Sequence, residues 1–328
     1  MSCTPTQHVE WPRIEITLFR IFICVEDPND ANFTGHIMTK KQSESVHVHD
    51  NGLPALPYLV IRIDGESRGV KSSGTGFFYM FENGERQIPT VITNKHVVDG
   101  LDALTFHFAL SDSQGRRLLQ ASEPVTIETK SYKIIRHPNP SVDLVAIPIL
   151  PMYKEIEKRG KEPFRLTLDK SHLPADWLRK RLVASTSALM VGFPNGLMDI
   201  ANNLPLTRRG ILATPYVANY EGLPNFVVDI AAFAGSSGSP VFALFESGVP
   251  TSDGAISIGE SEPLLTLIGV LHSGPTITAE GEIIPEPAPV SKNVVETRFM
   301  MHLGYCLRAE LIEDLGLILA SAMQRVRT

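Results

Sequence analysis

The sequence predicts an all-β fold that ends in a helix. Three observations predict it. Glycine and proline number 24 each in 328 residues and fall between short apolar segments, as turns do between strands. Those segments are rich in Val, Ile, Phe and Tyr, which fit a pleated, half-buried surface. Only the last stretch has sustained helical spacing, with Leu311, Leu315, Ile318, Leu319 and Met323 recurring mostly every three or four residues.

In chain order, the expected strands are Tyr58–Ile63, Gly76–Met80, Thr90–Thr93, Leu104–Phe108, Leu144–Ile149, Ala188–Gly192, Phe226–Ile230, Val241–Leu244 and Leu265–Leu271. From Tyr153 to Arg181 the strand signal drops and charge rises (Lys154, Glu155, Glu157, Lys158, Arg159, Lys161, Glu162). This stretch reads as a surface connection. The chain then divides into an N-terminal extension (1–54), a first lobe (55–152), the connection (153–184), a second lobe (185–306) and a C-terminal helix (307–328) packing on the second lobe. Glu310, Glu313 and Asp314 lie early in that helix and Arg325 and Arg327 late, as the helix dipole prefers. In the extension, residues 13–25 could be one strand. His36, His47 and His49 sit in a polar segment and read as surface rather than as metal ligands.

Composition narrows the function. With 43% hydrophobic and 20% charged residues, the chain is an ordinary globular protein. A net charge of −6 gives no electrostatic reason to bind nucleic acid. Cys3, Cys24 and Cys306 are too few and too far apart for a disulfide framework or a zinc site. No apolar run approaches the roughly 18 residues of a membrane span, and the run at 21–25 is too short for a signal-peptide core. The expectation is a cytoplasmic protein that needs no metal or organic cofactor.

Three local motifs carry chemistry. In Gly235-Ser236-Ser237-Gly238-Ser239-Pro240, glycines flank a serine pair. A serine hydroxyl needs a base to take its proton and donors for the oxyanion formed on attack. Glycines allow the backbone angles that turn successive N–H groups, here those of Gly235 and Ser237, toward one point. In Thr93-Asn94-Lys95-His96-Val97-Val98 a histidine follows a strand. Its ordinary pKa of about 6.5 suits a proton shuttle. In Ser141-Val142-Asp143-Leu144-Val145 an aspartate opens an apolar strand, where a carboxylate must be paired or hydrogen-bonded.

Together, and in the order His96, Asp143, Ser237, these motifs resemble the trypsin-like serine peptidases, closest to the bacterial HtrA and glutamyl-endopeptidase branches. Ser73-Gly74-Thr75-Gly76-Phe77-Phe78, Val191-Gly192-Phe193-Pro194-Asn195-Gly196-Leu197 and Leu267-Ile268-Gly269-Val270 extend the resemblance over residues 55 to 320. It implies two six-stranded antiparallel barrels with a cleft between them. It also implies that Ser237 is the nucleophile, His96 the base, Asp143 the orienting acid, and Gly235 and Ser237 the oxyanion hole. Ser236 stands where the digestive branch has an acidic residue, so activation by an inserted N-terminus is not expected. The specificity pocket would have Ala231 at its base and His272, Ser273 and Gly274 along a wall, with Gly304 opening it. An uncharged base favours small or medium aliphatic side chains of a polypeptide substrate, and His272 offers an alternative glutamate-reading group. The competing function is a latent or inactive module that binds peptides or awaits a regulatory partner docked on the N-terminal extension. An α/β-hydrolase esterase is excluded by the chain order and by the absent nucleophile elbow.

Overall fold

The computed structural model describes residues 38–39, 53, 55–84, 86–246, 248–257, 263–282 and 294–324. Apart from residues 38–39 and 53, the expectations for the N-terminal extension lie outside the described residues, as do Arg325 and Arg327.

The first lobe is one antiparallel sheet of nine strands. In chain order they are β1 (Met38–Thr39), β2 (Val60–Ser67), β3 (Val70–Asn83), β4 (Arg86–Thr93), β5 (Ala103–Ser111), β6 (Arg117–Glu128), β7 (Ile135–Arg136), β8 (Val145–Pro148) and β9 (Glu162–Pro163). The period-two pattern is clearest in β5, where Leu104, Phe106, Phe108 and Leu110 are buried and their neighbours are not. A single-turn helix α1 (Lys95–Val98) follows β4, and α2 (Leu150–Lys158) follows β8.

The expected closure of this lobe into a six-stranded barrel does not form. Its path runs β6-β5-β2-β3-β4-β8-β7, with β1 on β4 and β9 on β5, and its ends stay unpaired with each other. β7 is two residues long, too short to carry a closing ladder. The chain before it turns back on itself, with Tyr132 N donating to Glu128 O at 3.0 Å and its hydroxyl to Pro148 O at 2.6 Å. Helix α2 covers the sheet's apolar face. Its Met152, Tyr153 and Ile156 join a cluster with Phe78, Val91, Phe106 and Phe108. The start of the charged stretch at 153–184 is therefore part of this lobe's core. Its charges occupy only the outer face of an amphipathic helix.

The second lobe is a closed barrel. Its strands β10 (Ser187–Gly192), β11 (Leu206–Leu212), β12 (Asn225–Asp229), β13 (Pro240–Phe245), β16 (Leu264–Ser273) and β19 (Leu303–Arg308) pair in the order β10-β11-β12-β19-β16-β13. Two separate hairpins join β14 (Val249–Pro250) to β15 (Ile256–Ser257) and β17 (Thr276–Glu282) to β18 (Val294–Met300). Residues 307 and 308, expected in the helix, belong to β19. Past a single-turn helix α3 (Asp176–Arg179) and this barrel, the terminal helix α4 runs Ile312–Gln324.

Helix α4 reaches beyond the second lobe, where it was expected to pack. The Tyr79 hydroxyl of β3 donates to Glu313 Oε1 at 2.7 Å, and His137 Nε2 meets Asp314 Oδ2 at 3.1 Å. A Cβ at Gly316 would lie 2.8 Å from the Phe81 ring. Ile312, Leu315 and Leu319 enter a cluster that holds Phe77 and Phe81 of the first lobe with Phe242 and Leu267 of the second. The helix thus bridges both lobes, because its acidic first turn finds its partners on the first.

Thr75 joins the lobes at the level of the glycine-flanked serines. It is fully buried in β3. Its N–H donates to Ser237 O at 2.9 Å and its hydroxyl to Gly235 O at 2.9 Å. The same hydroxyl oxygen accepts from Phe193 N at 3.0 Å, and the Thr75 carbonyl accepts from the Thr93 hydroxyl at 2.7 Å. Approach is so close that a Cβ at Gly238, where φ is +87°, would sit 1.9 Å from Thr75 O. Replacing the hydroxyl by a methyl strands a buried donor and a buried acceptor. Thr75→Val is expected to lower the stability seen in urea unfolding by about 2–4 kcal/mol at unchanged m. A loss within about 0.5 kcal/mol, the range of an ordinary surface substitution, would contradict this role.

Candidate active site

The first-lobe half of the site begins where β4 ends. Asn94 is extended (φ −85°, ψ 154°) and α1 makes one turn after it. Val97 and Val98 of that turn point into the first-lobe core. Val97 fits because Gly74 has no side chain; a Cβ there would lie 2.5 Å from Val97 Cγ1. With both valines anchored, the His96 side chain is left half-exposed. Asp143 is held between the buried Val142 and Leu144. Leu144 O accepts from His137 N at 3.0 Å, and Asp143 O accepts from Asn94 Nδ2 at 2.8 Å.

His96 Nδ1 lies 2.6 Å from Asp143 Oδ2, and His96 N donates to Asp143 Oδ1 at 3.2 Å. Both carboxylate oxygens are therefore bound to one residue. Burial would raise the Asp143 pKa, but the hydrogen bond and charge of His96, the His96 amide and the His272 imidazole together hold it below the ordinary value. An ionised Asp143 keeps a proton on Nδ1 and leaves the lone pair on Nε2.

The second-lobe half is the loop from Phe233 to Ser239. Ser236 N donates to Phe233 O and Ser239 N to Ser236 O, each at 3.0 Å. Gly235 (φ +81°) and Gly238 (φ +87°) adopt left-handed backbone that other residues rarely take. Asn195 N donates to Ala234 O at 2.5 Å. Among the described residues, neither the Gly235 nor the Ser237 amide has a protein acceptor. The Ser237 hydroxyl rests on His272 O at 3.3 Å rather than on the His96 ring.

The residues expected around a specificity pocket divide. Ala231 is partly exposed at the entrance to the loop. The His272 ring, however, is turned toward the His96–Asp143 pair. Its Nδ1 contacts the Ser273 hydroxyl at 3.0 Å, its Nε2 is buried without a hydrogen-bond partner, and it interacts electrostatically with Asp143 and His96. Burial lowers its pKa and the His96 charge adds to this, against the pull of Asp143. Ser273 is exposed, and Gly274 lies against the backbone, since a Cβ there would be 2.5 Å from Leu303 O. Gly304 does not open a pocket. The space of its missing Cβ is filled by Leu271 and Val228, 2.5 and 3.0 Å away.

Two residues that sequence reasoning did not single out complete the site. One is Thr75, noted only as part of a resembling strand. The other is Arg208 on β11, whose Nη1 donates to Ala231 O at 2.9 Å and whose guanidinium lies over the Phe233 ring, 4.8 Å from its centroid. The segment 206–212 has little apolar patterning, and only the barrel register reveals where Arg208 points. Among the described residues, no group of His, Cys, Asp and Glu is arranged to hold a metal ion. No helix there is long and apolar enough to cross a membrane.

A model of the trypsin-like peptidase domain matches residues 74–248, more than half of the chain. The protein therefore belongs to the trypsin-like peptidase family, and its class is that of the serine peptidases with a chymotrypsin-like fold. No curated protein matches the sequence. Among solved structures, the serine endoprotease from Yersinia pestis is 13% identical, with 83% of this chain and 66% of that one covered and a TM-score of 0.44. A thermostable serine protease from an extremophilic microorganism is 12% identical over 81% of this chain and 98% of its own, with a TM-score of 0.40. The catalytically active tobacco etch virus protease, complexed with product, is 13% identical over 67% and 69%, with a TM-score of 0.37.

The lowered pKa of His272 sets a sign for stability. An unfolded-chain histidine takes up its proton near pH 6.5 and the folded one only at lower pH, so stability is lost as pH falls from about 7 toward 5. His272→Asn should flatten that part of the urea-midpoint profile. Parallel profiles for the two proteins would contradict the assignment.

Proposed function

We propose that this protein is a serine endopeptidase in which Ser237, His96 and Asp143 act as a catalytic triad. The observation that carries the reading is the 2.6 Å His96–Asp143 contact, combined with Ser237 in a glycine-flanked serine pair and two amides without an acceptor among the described residues. In this reading the Ser237 hydroxyl leaves His272 O and pairs with His96 Nε2 when substrate binds. Such bonds are often long or absent before substrate binds.

In this reading Ser237 Oγ attacks the carbonyl carbon of the scissile peptide while its proton passes to His96 Nε2. Asp143 stabilises the imidazolium that results. The oxyanion is received by the Gly235 and Ser237 N–H groups, in a loop that Thr75 holds through the Gly235 and Ser237 carbonyls. His96 returns the proton to the amine as the C–N bond breaks, leaving an acyl-enzyme. Water, deprotonated by the same ring, then releases the acid and regenerates Ser237.

The turned-away hydroxyl also favours a second reading, a resting form that a bound partner or substrate must trigger. Hydrolysis of an unfolded protein substrate separates the two. Active wild type, with kcat falling on the order of 10⁴-fold or more in Ser237→Ala and on the order of 10⁴-fold in Asp143→Asn, is expected. No hydrolysis by folded wild type supports the triggered form. Equal activity in wild type and Ser237→Ala sinks both.

A further inference from the structure

We propose that Arg208 is a specificity residue, and that this enzyme cleaves after acidic side chains whose carboxylate the Arg208 guanidinium receives. The proposal rests on the serine-peptidase reading for the location of the pocket, beside the segment that leads to Ser237.

Arg208 faces the inside of the barrel. It stands directly opposite Met190 in the β10–β11 ladder, and Met190 is buried in the barrel core. Directly opposed residues of an antiparallel pair project from the same face. Neighbouring Arg209 projects outward and is forked on Glu246, with contacts of 3.0 and 2.5 Å. Arg208 has no such counterion: among the described residues, no carboxylate oxygen lies within salt-bridge distance of it. What it has is the Ala231 carbonyl, the face of Phe233, and an Nε sealed from solvent without an acceptor.

A guanidinium cannot shed its proton. An inward-facing cation with an unmet donor is costly unless something supplies the missing charge. Ala231 and Phe233 lie six and four residues before Ser237, where the resemblance to trypsin-like peptidases would place the entering substrate side chain. A carboxylate suits it best, since the guanidinium fork pairs with planar anions. The His302 ring meets Phe233 edge-on at 5.5 Å. The other basic group considered for this task, His272, is committed to Ser273 and lies beside the Asp143 carboxylate, which would repel an incoming acid. In this reading the uncharged Ala231 lies beside a cation rather than at the base of an aliphatic pocket.

The test profiles cleavage of a peptide library varied at the residue before the scissile bond, using wild type, Arg208→Gln and Arg208→Lys. Expected is a wild-type preference for Glu or Asp over Ala and Leu. The Glu/Ala ratio of kcat/KM should collapse by about 100-fold in Arg208→Gln and be partly retained in Arg208→Lys. A wild-type preference for aliphatic residues overturns the proposal, whether or not the variants fold. So does an Arg208→Gln effect that lowers all substrates alike, which would reveal a mere prop under the Ala231 carbonyl. If folded wild type cleaves nothing, the triggered form of the peptidase is supported and the specificity is read from binding instead. Binding to Ser237→Ala of otherwise identical peptides ending in Glu or Leu then decides: tighter Glu binding that is lost with Arg208→Gln supports the site, and equal binding overturns it.

Discussion

The geometry of the site depends on one buried threonine. Thr75 belongs to the first lobe, yet it binds backbone on both sides of the Ser237 loop and on the Phe193 segment of the second. The proton transfer proposed between His96 and Ser237 would require groups from two different sheets to meet within a few tenths of an ångström. Apolar packing alone is poorly directional and would not set that register. The Thr75 contacts are directional, short and shielded from water, so they fix the loop against the strand that leads into His96. Gly74 and Gly76 flank Thr75 because neither position has space: a Cβ at each would lie 2.5 Å from a valine methyl.

The two lobes achieve rigidity by different means. The second closes its ladder, so each strand is paired on both sides and the loop carrying Ser237 springs from a sheet without edges. The first remains open and relies on α2 beneath it and α4 bridging away from it. Glu313 and Asp314 make this bridge specific, since each carboxylate lies at the start of α4 and reaches a first-lobe partner, Tyr79 or His137. Burial beside Glu313 pushes the Tyr79 hydroxyl well above its ordinary pKa, which keeps it a donor at every pH the protein meets.

Much of this was legible in the sequence, and the boundary has a physical cause. The expected strands overlap β2, β3, β4, β5, β8, β10, β12, β13 and β16, because each is a short run of β-formers between turn residues. His96, Asp143 and Ser237 stood out because each sits in a local motif of the residue types that nucleophilic catalysis requires. β6 and β11 were missed. In β6 only Val125 and Ile127 are buried apolar residues in the run 117–128, and β11 carries Arg208 and Arg209. β19 was missed, and its last two residues fell within the expected helix because Leu307 continues an apolar spacing. The resemblance places His272 along a pocket wall, and the sequence alone carries no sign of the electrostatic contact its ring makes with Asp143 and His96. Barrel closure in the first lobe failed for a similar reason: strand count can be guessed locally, but the two-residue length of β7 is set by the turn before it.

The central claim is that Ser237 is a nucleophile activated by His96. The most direct measurement is intact-mass analysis after exposure to a fluorophosphonate, with the modified residue mapped by peptide sequencing. The account predicts a single adduct on Ser237, absent from the unfolded protein and from Ser237→Ala, and formed far more slowly in His96→Ala. An adduct on Ser236 or Ser239 instead, or equal rates with and without the His96 imidazole, would contradict it.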